Sequence, residues 1–137
     1  MKRRLLLGYQ ILTGLSDAST GVLLIVAPTT TLHMMRLHAP QDSLPYLSYV
    51  GVFVLSVGIA CLYGGVLLTT RPVLVQKLEA VWLLTAITRG LVAIFVVAKI
   101  FSGSLEPGWM TVALTDGAIA LLQTIGLARG WLGNVTA

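Results

Sequence analysis

The chain has 137 residues, of which 56% are hydrophobic and only 10% charged, with a mean hydropathy of +0.90. Soluble domains carry about 25% charged residues, so this composition cannot cover a water-facing surface, and a polytopic membrane protein remains. The net charge of +4 is not a nucleic-acid signal, because the basic residues sit at the ends of apolar runs, where they set topology.

By length the chain is one domain, residues 1–137. Its start, Met1-Lys2-Arg3-Arg4 followed by leucines, imitates a signal peptide. The apolar run continues to about Val26, however, contains Asp17, and is followed by no small-residue cleavage site. It reads as a first transmembrane span over 5–27, closed by Pro28, since about 20 residues suffice to cross the hydrocarbon. Within the loop that follows, 31–38 is expected to form a short helix on the membrane surface, with Leu32, Met35 and Met34 dipping into the apolar layer. His33 and His38 invite a metal reading, but a five-residue separation puts them on different helical faces. No metal site is predicted.

A second span over 46–69 has no ionisable side chain apart from tyrosine and cysteine. Gly51, Gly58 and Gly65 recur every seven residues, with Gly64 beside them. Small residues at such spacing let helix backbones approach closely in lipid, inside the bundle or against a second copy. A sharper reading makes Gly58 part of a flat groove for a lipid or quinone tail. Cys61 is the only cysteine, which excludes a disulfide or paired redox motif within the chain and fits a small buried packing residue.

After the turn Thr70-Arg71-Pro72, a third span covers 73–100. Lys77 and Lys99 lie 22 positions apart, ~33 Å along a helix, so each can snorkel to its own interface. Arg89 is left near the middle, where an arginine costs roughly 2.5–3.5 kcal/mol on insertion scales and therefore needs a partner. A fourth span covers 109–128, bracketed by Trp109 and Trp131 in the manner of aromatic belts. Lys2, Arg3, Arg4, Arg71, Lys77 and Arg129 fall on one side, against Arg36 and Lys99 on the other. That bias places both termini in the cytoplasm of an inner-membrane protein and the histidine-containing loop outside.

The candidate partners of Arg89 are Asp17 and Asp116. Asp17 shares a helical face with Gly14, Ala18 and Gly21, Asp116 with Ala113, Gly117 and Ala120, and Arg89 with Ala86, Gly90 and Ala93. Small residues mark helix–helix interfaces in membranes, so all three charges are expected to point inward, with Arg89 between the aspartates. Leu15-Ser16-Asp17 and Leu114-Thr115-Asp116 read as convergent use of a polar core rather than an inverted repeat, because their flanks do not match. Two carboxylates and one guanidinium leave a net negative charge, which in low dielectric favours one retained or shared proton. Gln10 and Gln123 each lie seven residues from an aspartate, on its cytoplasmic side, and Tyr9, Thr13, Ser16, Thr115 and Thr88 add hydroxyls. Together these predict a polar pocket running from mid-membrane toward the cytoplasm, with Tyr9, Gln10, Thr13, Gln123 and Gly58 as ligand-binding residues.

Such a centre can serve as structural glue, as a ligand or subunit-docking site, as an acid/base catalyst using Asp17, Arg89 and Asp116, or in proton-coupled transport. The last is weakest, since the outer half offers little polarity beyond Ser19 and Thr20. No P-loop, dinucleotide or common hydrolase motif occurs. In residue types the centre resembles the water-activating Asp and Arg arrangement of limonene-type epoxide hydrolases. The Pro28-capped first span, the segment 32–37, the Gly-rich second span, Arg89 in the third and Asp116 in the fourth resemble small four-span bacterial membrane proteins of the broad DoxX-like group. That resemblance implies an accessory role near redox or lipid chemistry. The sequence thus predicts an all-α, antiparallel four-helix transmembrane bundle with a short interfacial helix. No cofactor is required by it, a bound lipid or quinone is the expected ligand, and the expected partners are membrane lipids, subunits of a membrane complex or a second copy.

Overall fold

A computed structural model of the protein describes residues 2–70 and 74–133. Arg71 and Pro72 of the expected turn, and Val73 at the expected start of the third span, lie outside them. Five α-helices make up the described residues: α1 (Lys2–Val26), α2 (Pro28–Met34), α3 (Leu44–Thr69), α4 (Val75–Phe101) and α5 (Met110–Ala128), with short 3-10 turns before α3 and α5. Four segments, Arg3–Val26, Gln41–Thr69, Val75–Phe101 and Pro107–Ala128, are long and apolar enough to cross a membrane. The protein is a helical membrane bundle, as the composition requires.

The bundle is built from two tight pairs. In the first, α1 and α3 meet almost backbone to backbone. A Cβ added at Gly21 would stand 2.5 Å from the amide nitrogen of Leu55 and 2.8 Å from the carbonyl oxygen of Gly51. At Gly58 it would collide with the backbone of Ala18. The glycine stripe of the second span is therefore consumed inside the bundle, against α1. In the second pair, α4 packs on α5 through Gly117 and Ala93, 3.6 Å apart by the same construction. Van der Waals packing of small residues is what drives helices together in lipid, where no hydrophobic gain is available.

The two pairs converge at one end only. Leu67, Leu68, Leu78, Trp82 and Leu132 form a buried core there, with Leu6, Leu7, Tyr9 and Leu127 against it. This is the end at which α1 begins and α5 finishes. Toward the opposite end the pairs diverge, and the gap is roofed by α2 and the segment after it.

The roof corrects one expectation. Pro28 does not merely close the first span; it opens α2 as its first residue, a position where the missing N–H is no loss. The surface helix thus begins three residues earlier than the expected 31–38. It ends with Arg36 in the left-handed region, φ 56°, while the Arg36 and Leu37 amides donate back to His33 and Leu32 at 3.1 and 2.9 Å. That double return is a Schellman closure, which turns Leu37 inward. Leu32 and Leu37 are buried in the protein rather than in lipid, Met35 faces the gap, and Met34 alone stays 70% exposed.

Candidate functional site

Arg89 lies on the inward face of α4 with Trp82, Thr85, Ala86, Ala93 and Val96, all buried. Its Nη1 donates to Asp116 Oδ1 on α5 at 2.6 Å, and its Nη2 donates to Asp17 Oδ2 on α1. The expected triad forms, with the guanidinium between the two carboxylates. One side chain thereby ties the α1–α3 pair to the α4–α5 pair at the level where they begin to diverge. The guanidinium side chain is 5% accessible, the aspartates 18% and 19%. The cation is almost closed off, and the carboxylates are the more accessible charges.

On the diverging side of the triad lies a cleft of about 1010 Å³, at the upper end of the ~300–1,000 Å³ usual for small-molecule sites. Asp17, Arg89 and Asp116 form its polar floor, together with Ser16, Thr20, Thr88 and Thr115. Its walls are apolar, drawn from Leu24 on α1, Val54 and Val57 on α3, Val92 and Val96 on α4, and Val112 on α5. Phe53 and Phe95 at its flank are 54% and 59% exposed, so the cleft communicates with the outer faces of α3 and α4. At the roof, Leu37 presses on Gly108 and His38 Nδ1 lies 3.6 Å from Glu106, joining the α2 segment to the α4–α5 turn. His38, Glu106 and Trp109 line this rim.

The glutamine layer does not line the cleft. Gln10 and Gln123 are fully buried on the opposite side of the triad, inside the converging half. Gln10 occupies the slot left by the absent side chain of Gly64. Gln123 Nε2 donates to Thr85 Oγ1 at 2.8 Å, Thr13 donates its hydroxyl to the Tyr9 carbonyl at 2.8 Å, and the Tyr9 ring packs on Trp82 with centroids 5.4 Å apart. The pocket expected on the terminal side is thus filled by the protein's own aromatic and leucine side chains. Tyr9, Gln10, Thr13, Gln123 and Gly58 are absent from the cleft wall, and Gly58 serves helix contact instead. The correction has a geometric cause: heptad spacing places a glutamine on the same face as its aspartate, but does not say on which side of that level the helices separate.

Beside known proteins, the chain matches no family model, no curated protein and no solved structure.

Some residues of the site carry no sequence signal. Val54, Val57 and Val112 look like any lipid-facing valine, and their role follows only from the divergence of the two pairs. Thr85, the partner of Gln123 outside the cleft, does carry a signal that sequence reasoning missed: it precedes Arg89 by one turn on the same face. Chemically, the arrangement offers an apolar chamber with a carboxylate-rich floor. It can hold the tail of an amphipathic molecule and position its polar end against Asp17 and Asp116.

Proposed function

We propose that the protein is a small accessory or binding protein of the cytoplasmic membrane, whose cleft holds an amphipathic ligand such as a lipid or a quinone-type molecule. The observation that carries this reading is the coincidence of a large apolar cleft with a floor of three buried or half-buried charges. Charges serving only to dock helices would be expected in a dry, closed interface, because each exposed polar atom at that depth is costly. With both termini in the cytoplasm, as the basic residues indicate, the roof and its His38–Glu106 contact face outside.

A membrane-embedded acid/base enzyme is the second reading. It is favoured by the two carboxylates, which flank one guanidinium and stay accessible from the cleft; an aspartate there can accept a proton while the other holds Arg89 in place.

Lipid extraction and mass spectrometry of protein purified in mild detergent test the binding reading. A defined lipid or quinone should accompany the wild type in near-stoichiometric amount and be lost from Val54→Trp, which fills the wall of the cleft. Equal recovery from both proteins, or none from either, would defeat it.

A further inference from the structure

The floor of the cleft is acceptor-rich, and that selects the chemistry of the head group. Arg89 is 5% accessible and gives one N–H of each Nη to Asp17 and Asp116, so its remaining Nη donors have almost no open surface. Its Nε is buried, with no protein partner, and therefore out of reach of a visitor. Asp17 Oδ1 and Asp116 Oδ2 receive no hydrogen bond from any described residue. Neither oxygen is among the sealed unpartnered atoms, and the two side chains keep 18% and 19% of their surface.

Two of the four hydroxyls around them point the same way. Thr88 donates to the Leu84 carbonyl at 2.9 Å and Thr115 to the Thr111 carbonyl at 2.8 Å, so these two present only lone pairs to the cleft, while Ser16 and Thr20 keep their hydroxyl donors. The rim adds a third carboxylate, Glu106. Against three carboxylates stand one sealed guanidinium and His38.

Resting on the reading of the cleft as an amphipath site, we infer that its ligand carries a hydrogen-bond-donating head, a hydroxyl or a protonated amine, and not an anionic one. A fatty acid or a phosphate ester would place its charge against Asp17 and Asp116, with only a 5% accessible guanidinium to meet it. A quinone carbonyl would find only the Ser16 and Thr20 hydroxyls as neutral donors, beside two carboxylates that repel it. An alcohol or amine instead supplies a donor to the aspartate that stays ionised, and bonds of that charge-assisted kind are about twice as strong as neutral ones. Of a quinone couple, the dihydroxy reduced form is the one this floor takes.

The test uses three brominated dodecyl probes that differ only in their head: an alcohol, an amine and a carboxylate. Each is titrated at pH 8 into the full chain in lipid nanodiscs, and binding is read from bromine quenching of Trp109, which lines the rim. The variant Trp131→Phe removes the half-exposed tryptophan outside the cleft from the signal. The alcohol and the amine should bind at least ten-fold tighter than the carboxylate. Asp116→Asn, with its helicity checked by circular dichroism, should narrow that gap to less than about three-fold by removing one negative charge.

Equal binding of all three heads, or tighter binding of the carboxylate, would overturn the inference while leaving the cleft an amphipath site. No quenching by any of them would overturn both. The wild-type comparison decides even where Asp116→Asn does not fold.

Discussion

Replacing Arg89 by methionine separates the electrostatic role of that side chain from its bulk. Methionine nearly preserves the volume, but Asp17 and Asp116 are left facing one another across the gap the guanidinium filled. Removing one partner of a buried ion pair costs about 3–5 kcal/mol, because the remaining charge is left uncompensated. Here the carboxylates retain nearly a fifth of their surface and open onto a cleft, so solvent can reach them and the lower end of that range applies. A loss of about 3 kcal/mol corresponds to a fall in Tm of roughly 10 °C for a chain of this size. Thermal unfolding in detergent micelles, followed by circular dichroism, measures it. The triple variant Asp17→Leu, Arg89→Met, Asp116→Leu should recover most of the loss, since replacing a complete buried charge cluster by apolar residues is often neutral or stabilising. A single Arg89→Met variant melting within 2 °C of the wild type would refute the reasoning, for it would mean that the triad holds nothing together.

Two further substitutions probe the halves of the bundle. In the α1–α3 seam, Gly21→Ala should destabilise by about 1–3 kcal/mol, the usual cost of overpacking, because the added methyl meets the backbone at Leu55 and Gly51 rather than a side chain that can turn away. SDS-induced unfolding of the reconstituted protein would report it, and an unchanged midpoint would show that the seam is looser than described. In the converging half, Gln10→Leu should be neutral or raise the Tm slightly, because neither polar atom of Gln10 has a protein partner and an apolar group of similar shape removes their desolvation cost of about 1–3 kcal/mol. A fall of more than about 5 °C would instead assign Gln10 to a hydrated hydrogen-bond network.

Composition and local pattern determined the class of this protein, its four spans and the convergence of its charges. These are properties of single helices. The length of an apolar run sets whether it can span, and a period of 3.6 residues sets which side chains share a face. Because a charge in lipid must find a partner, the faces of Asp17, Arg89 and Asp116 sufficed to predict that the three would meet. The short helix after the first span was visible too, though Pro28 proved to begin it as well as to end α1.

Tertiary structure alone decided which side of the triad is filled and which is empty. Gln10 and Gln123 mark one side as polar in the sequence, yet Trp82, Leu78 and Leu68 close that half. The half that looked poor in polar residues is where the helix pairs separate and the roof from Leu32 to His38 spans the gap. Separation depends on interhelical angles, which follow from the sum of many contacts along the α1–α3 and α4–α5 seams. No single residue encodes it. Arg89 was legible as the centre of the bundle from its own helix, but only the packing of two helix pairs made it the floor of a cleft.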